Sequence, residues 1–390
     1  MLRERTTVSS ACSAFLVAAL LAAPARVAAF ADPLQIFPSE LAWTIDVSTR
    51  PIAPPVSYDN RLFVALQTGI AAVSLKDRAV VWTQKLVAAG AMAAAANRLI
   101  VPSDGQLHAL DAGTGQTAWT AKTGPLTAPP FIHGDWVYVA SGEQLSAYNI
   151  ADGAAGWSRD LGVVEERPTV MDKRLYVPVS DGRIVALELA TGEQLWETAV
   201  IGIKPTEPLV YGDRVFAGSA AKRFCSFRSD NGAKDWCYPI GAVIVGQPAA
   251  DASHVYFVAL DNLLYALNRS HGARLWKKDL RYRPSAGPFL VGASISAPGT
   301  TSKMQVFDAA TGNKGAELTL PAELAMVPAL VLPSDQGPMQ MASLVGDLKN
   351  LWKLAVSVPP PPALPDLKVT PLSELPGRAV PLSGSRAPRE

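Results

Sequence analysis

Short apolar runs bounded by turn residues recur along most of the chain. Examples are WVYVA at 136–140, RLYVPVS at 174–180 and HVYFVAL at 254–260. Each is followed, after a turn, by a second run: QLHAL at 106–110, RIVAL at 183–187 and LLYAL at 263–267 stand in that place. A Pro-containing apolar stretch precedes the pair, as in APPFI at 128–132, QPAAD at 247–251 and AGPFL at 286–290. A last strand carrying a tryptophan closes the unit. Runs of this length, rich in β-branched and aromatic residues and separated by tight turns, predict β-strands.

The turn before the last strand is written almost as a formula. Residues 109–119 read ALDAGTGQTAW and residues 186–196 read ALELATGEQLW. Looser copies stand at 147–157, 226–236 and 266–276, while 306–316, VFDAATGNKGA, keeps the frame and loses the tryptophan. Trp43, Trp82, Trp119, Trp157, Trp196, Trp236 and Trp276 are spaced by 39, 37, 38, 39, 40 and 40 residues. A period in this range marks a repeat architecture, and four short antiparallel strands per period describe the blade of a propeller. Within the turn, Asp111 and Thr114 can bond locally and Gly115 can take the positive φ that a tight hairpin demands. Arg78 holds the glycine position in the first copy, so that turn must differ or carry strain. The tryptophans are expected to fill the wedge between diverging outer strands and so to dock each blade on its neighbour.

The two ends fix the blade number. Trp43 lies on a fourth-type strand, LAWTIDV, with no first three strands before it, whereas residues 326–356 supply three strands and no fourth. Closing the last blade with the N-terminal strand gives an all-β, eight-bladed propeller over residues 40–356 and removes the two open edges that an unclosed ring would expose.

Outside the repeat, Arg3 and Arg5 precede the apolar stretch ACSAFLVAALLAA and a small-residue region ending near Ala29 and Ala31. That layout predicts a secretory signal over residues 1–31, removed on export, and the apolar stretch is shorter than the ~20 residues that span a bilayer. Cys12 sits at the start of the stretch, where it cannot serve as a lipid attachment site, so a lipid anchor is not expected. Residues 357–390 form a proline-rich tail, with nine of the 32 prolines falling after residue 358; disorder is expected there. Export leaves Cys225 and Cys237 as the only cysteines. They lie on adjacent strands of one hairpin, and an oxidising compartment would join them as a disulfide.

Composition narrows the function. The chain is 49% hydrophobic and 18% charged, a globular balance, and its net charge of +1 resolves into +2 over the first 31 residues and −1 over the rest. No basic run marks a nucleic-acid partner. His108, His133, His254 and His271 fall in four different repeats without metal-ligand spacing, and the acids nearest the tryptophan hairpins, Asp111, Glu188 and Asp308, share one motif position and read as turn acids. No catalytic residue, metal or cofactor is expected.

ALDAGTGQTAW matches at every fixed position the motif A-x-D-x-x-T-G-x-x-x-W, and on that motif the chain resembles the pyrroloquinoline-quinone-like repeat β-propeller family, with degenerate copies over roughly residues 40–356. The resemblance implies the ring and leaves the function open. Quinone-dependent dehydrogenases of this family carry insertions over their cofactor and a vicinal cysteine pair; here the period never exceeds 40 residues through the seventh repeat and no two cysteines are adjacent. By size and export the chain is most similar to members that serve as subunits of the outer-membrane assembly machinery.

What remains is surface. The connections from each fourth strand to the next first strand share one face with the turns between second and third strands. Three of them are unusually polar or long: 160–168, 199–208 and 279–288. On these, Glu165, Glu166, Arg167, Lys204, Glu207, Arg281, Tyr282 and Arg283 are the candidate residues for binding a protein partner. The expectation is an exported, non-catalytic propeller scaffold that binds protein partners, in cell-envelope or outer-membrane protein assembly. A periplasmic small-ligand sensor or carrier using the central funnel is the alternative reading, and a quinone-dependent dehydrogenase the least supported.

Overall fold

Strands form where the apolar runs predict them, and most second and third strands are largely buried because the blades on either side cover their two faces. Arg174–Val179 and Arg183–Glu188, for example, pair antiparallel with Val177 opposite Val185, and Val177, Val179, Ile184, Val185, Ala186 and Leu187 all have no exposed surface. The structure, a computed structural model, describes residues 40–331, 340–346 and 352–358. The expected signal peptide over 1–31 and the tail beyond residue 358 lie outside the described residues. Those that are described contain no helix.

Eight antiparallel sheets make the ring. Blades 1 to 7 each have four strands in sequence order, covering residues 56–84, 93–122, 131–160, 169–199, 209–239, 244–279 and 289–319. Blade 8 is composite. Its inner edge is the broken strand Glu323–Leu324 and Ala329–Val331, its middle strands are Gln340–Gly346 and Trp352–Val358, and its outer strand is the N-terminal segment Glu40–Val47. Trp43 pairs with Val356 and Val47 with Trp352, so the ring is closed as its ends predict and Trp352 belongs to a third strand.

The core is a ring of interfaces between blades. Leu62, Val64, Ala71 and Val73 of blade 1 pack with Ala342, Leu344 and Val356 of blade 8, with Trp43 at the margin. Tyr138 and Leu145 of blade 3 pack with Leu175, Val177 and Val185 of blade 4. Closure by the N-terminal strand thus completes an interface of the same kind as the others.

The motif turn docks the blades. Asp111 Oδ1 accepts from Gly113 N (3.0 Å), Thr114 N (2.9 Å) and Thr114 Oγ1 (3.1 Å), and Gly115 N bonds to Asp111 O at 2.8 Å with φ at +74°. The tryptophans of blades 1 to 6 each lie on the turn glycine of the next blade: a Cβ on Gly115 would stand 2.7 Å from the Trp82 ring, and one on Gly232 2.6 Å from that of Trp196. The indole N–H completes the contact by donating to a carbonyl of the same turn, Trp82 to Ala112 at 3.2 Å, Trp119 to Ile150 at 2.9 Å and Trp196 to Ser229 at 3.2 Å. Glycine is therefore required twice, for its φ and for a flat surface. Arg78 keeps the same turn, its N bonded to Ser74 O at 2.9 Å, and holds φ at +55°, the strained outcome of the two expected.

The missing tryptophan at Ala316 has the same cause. Blade 8 takes its fourth strand from residues 40–47, so no hairpin joins its third and fourth strands. Blade 7 faces a neighbour with no turn glycine for an indole to cover.

Cys225 and Cys237 pair directly across the third and fourth strands of blade 5 and are joined as a disulfide, with Cα atoms 4.1 Å apart.

Candidate functional site: the connection face and the axial cavity

The long connections stack on the turns between second and third strands of the blade they enter, as their strand directions require. Ser180 N donates to Val163 O at 2.8 Å and Lys204 N to Ser180 O at 3.1 Å; Ala220 N donates to Ile203 O at 3.0 Å and Leu260 N to Val243 O at 2.9 Å. These bonds tie the connections around blades 4, 5 and 6 into one continuous rim.

Glu165 and Lys204 meet on this rim, 3.0 Å apart and both well exposed. The bond from Lys204 and another from Ser180 Oγ hold the Glu165 carboxyl below the usual range. Glu166 reaches water but has protein on most sides, and that burial, with the Glu165 charge, raises its pKa. Arg167 and Glu207 turn inward to line a cavity on the ring axis. Burial pushes the Glu207 carboxyl up to about 7, with Arg167 opposing the shift and Glu166 adding to it.

The structure therefore brings Glu165, Glu166, Arg167, Lys204 and Glu207 into one cluster. Arg281 and Arg283 stand apart, exposed on the connection between blades 6 and 7. Tyr282 between them is buried, 9% exposed, with its hydroxyl donated to Ala297 O at 2.8 Å. Its ring fills the space that a side chain at Gly299 would need. As an interface residue Tyr282 must be set aside: it anchors its own loop.

Sequence reasoning also missed the apolar half of the rim. Val163, Ile201, Ile203 and Val243 are 37%, 42%, 56% and 38% exposed, all on the connections entering blades 4, 5 and 6. The signal is VIGI at 200–203, apolar residues in a stretch between strands. Exposed apolar side chains within a charged border compose the usual centre and rim of a docking surface.

The cavity of about 590 Å³ is lined by residues from all eight blades. One position recurs in it, the residue just before the inner strand's proline or its equivalent: Pro54, Ala91, Pro129, Arg167, Glu207, Gln247, Gly287 and Val327. Five copies are apolar or glycine; the three polar ones are consecutive, in blades 4, 5 and 6. Gln247 Nε2 donates to Pro208 O (3.0 Å) and Thr169 Oγ1 (3.1 Å), so inner strands of those three blades are bonded together. Gly287 has no room for a side chain, since its Cβ would lie 1.9 Å from Gln247 O.

The turn acids and His254 are held by partners in their own turns. Asp111 and Asp308 have lowered pKa values. In Asp308 the Thr311 hydroxyl and N–H are the main cause, and in Asp111 bonds from Thr114 and Gly113 outweigh burial. Glu188 accepts from Thr191 Oγ1 at 2.6 Å. His254 Nδ1 lies 3.0 Å from both Asp251 oxygens within its own turn. Among the described residues no three His, Cys, Asp or Glu are grouped to hold a metal, and no helix is long and apolar enough to cross a membrane.

The ring, its turn motif and its tryptophan ladder define a pyrroloquinoline-quinone-like repeat propeller. A family model described as outer membrane protein assembly factor BamB matches residues 38–130, 103–243 and 212–326, and the chain belongs to that family. It is 24% identical over 252 residues to the outer membrane protein assembly factor BamB of Moranella endobia, covering 59% of this chain and 65% of that protein, so it spans a little under two thirds of that relative's length. The crystal structure of BamB from Moraxella catarrhalis superposes with a TM-score of 0.68 at 18% identity, over 82% of this chain and 99% of that one. A quinohemoprotein alcohol dehydrogenase from Comamonas testosteroni gives 0.65 at 14% identity, over 82% and 76%. At these identities the two solved structures speak for the fold alone.

Proposed function

We propose that the protein is an exported, non-catalytic scaffold of outer-membrane protein assembly that docks a protein partner on the connection face of blades 4 to 6. The observation that carries this reading is the row Val163, Ile201, Ile203 and Val243, exposed on one rim and bordered by Glu165, Glu166 and Lys204. A monomer gains nothing by presenting four large apolar side chains on hydrogen-bonded, ordered loops, whereas a partner that covers them gains the burial energy. The assembly role rests on family membership, and export rests on the amino-terminal signal pattern. The mixed border gives orientation and rate more than affinity, so binding should weaken with salt.

The test is capture of envelope proteins by purified, tagged propeller. Ile203→Glu should lower recovery of components of the outer-membrane assembly machinery about tenfold or more, with the melting temperature unchanged. Arg281→Glu with Arg283→Glu, two connections away, should have a smaller effect. Full recovery with Ile203→Glu in a folded protein would remove this face as the docking site.

A further inference from the structure

The axial cavity holds something that blade packing does not explain. Five blades complete the ring position with Pro54, Ala91, Pro129, Gly287 or Val327, which shows that the fold needs no charge there. Blades 4 and 5 nevertheless place Arg167 and Glu207 at it. The two do not satisfy each other: no ion pair within 4.0 Å joins them, although Arg167 acts on the Glu207 carboxyl through space. Arg167 Nε is buried and has no hydrogen-bond partner. A buried guanidinium nitrogen without a partner is unfavourable, and its presence in a cavity, at a ring position where apolar residues serve in other blades, points to a ligand.

The remaining wall is already built. Thr169, Pro208 and Gln247 are hydrogen-bonded across blades 4, 5 and 6, and Gly246 and Gly287 bring the backbones of blades 6 and 7 into close contact. Met92, Pro129, Phe289 and Val327 supply an apolar lining on other sides of the cavity. Its volume of about 590 Å³ falls within the range of roughly 300–1,000 Å³ usual for small-molecule sites.

We propose that this cavity binds a small zwitterion with an apolar body, an apolar dipeptide in size, its carboxylate held by Arg167, its ammonium by Glu207 and its side chains by the apolar lining. A simple anion would meet the Glu207 carboxylate and a simple cation would meet Arg167, both in the lining; a ligand carrying both charges satisfies both walls. The inference does not depend on the docking-face reading, since none of Val163, Ile201, Ile203 and Val243 lines the cavity.

Glu207 must be ionised to hold an ammonium, and burial pushes its carboxyl up to about 7, so the full-length protein is tested about one unit higher, near pH 8. Titration calorimetry with leucyl-leucine should show saturable one-to-one binding, weakened about tenfold or more when the peptide is N-acetylated or C-amidated. The double variant Arg167→Leu with Glu207→Leu, which gives blades 4 and 5 apolar residues like those of the other blades, should keep the melting temperature and lose the binding. No saturable heat up to about 1 mM peptide, equal affinity for the capped peptides, or undiminished binding by the folded double variant would each overturn the assignment.

Discussion

The two faces of the ring are built from the same repeat and have been put to different use. On the face of the tryptophan hairpins the repeated turn groups satisfy one another: Asp111 caps its own turn, Gly115 underlies Trp82, and the indole N–H donates to Ala112 O. On the connection face the copies diverge, leaving apolar side chains in water at Ile201 and Ile203 and an unpaired guanidinium nitrogen at Arg167. Sequence identity between copies therefore tracks internal packing, and the places where the copies differ are those free to meet something else. Substitutions on the first face should cost stability, whereas those on the second should cost binding and leave stability intact or raise it.

The largest effect is expected where the hairpin face is missing altogether. Deleting residues 40–47 removes the outer strand of blade 8, the partner of the third strand through Trp43–Val356 and Val47–Trp352, and opens the interface with blade 1. Circular dichroism melts should show a severe loss of stability or no folded protein, while deleting residues 363–390 should leave the transition in place. Equal melting temperatures for the two truncations would mean that closure contributes nothing.

A single tryptophan probes the same face more gently. Trp196 covers Gly232, donates to Ser229 O at 3.2 Å and packs against the Tyr176 ring at 5.8 Å. Trp196→Ala should lower stability by about 3 kcal/mol, measured by denaturant unfolding. A value within about 0.5 kcal/mol of the parent, the usual range for a surface substitution, would show that the indole is ornamental to docking and that the period alone, without the stacking, built the ring.

How much could be read beforehand follows the same division. The period, the eight blades, the composite closure and the turn acids were legible because each is fixed by local pattern repeated many times. The direction of individual side chains on the connections was not. Tyr282 stood in RYR, a string that reads as surface, yet it lies inward against Gly299 just after Arg281 takes φ at +64°. Arg167 and Glu207 were read as rim charges and line the axis instead. In an irregular connection no period of two or 3.6 says which way a residue points, and the information sits in other blades. The one usable signal was the comparison of the eight pre-proline positions, where polar residues interrupt an apolar series only at blades 4 to 6.

Glu207 gives the smallest and most pointed contrast, because its effect on stability has the opposite sign to that of Trp196. Burial raises its folded carboxyl from 4.5 to about 7, so the neutral form is the one the folded state favours. The stability this contributes is complete below pH 4.5, where both folded and unfolded forms are protonated, and is lost as pH rises through about 7. Above that, the folded protein carries a poorly solvated charge that the unfolded chain solvates freely. Since the side chain keeps some access to water, the penalty at pH 8 is about 1–3 kcal/mol. Glu207→Gln removes the titration: relative to the parent it should gain stability at pH 8 by that amount and lose the advantage near pH 5, as read from paired denaturant melts. A residue whose neutral replacement strengthens the fold is kept for a reason other than folding. If Glu207→Gln instead weakens the protein equally at both pH values, the carboxyl is a structural bond of the ring, and the division between a packed face and a free one does not extend to the axis.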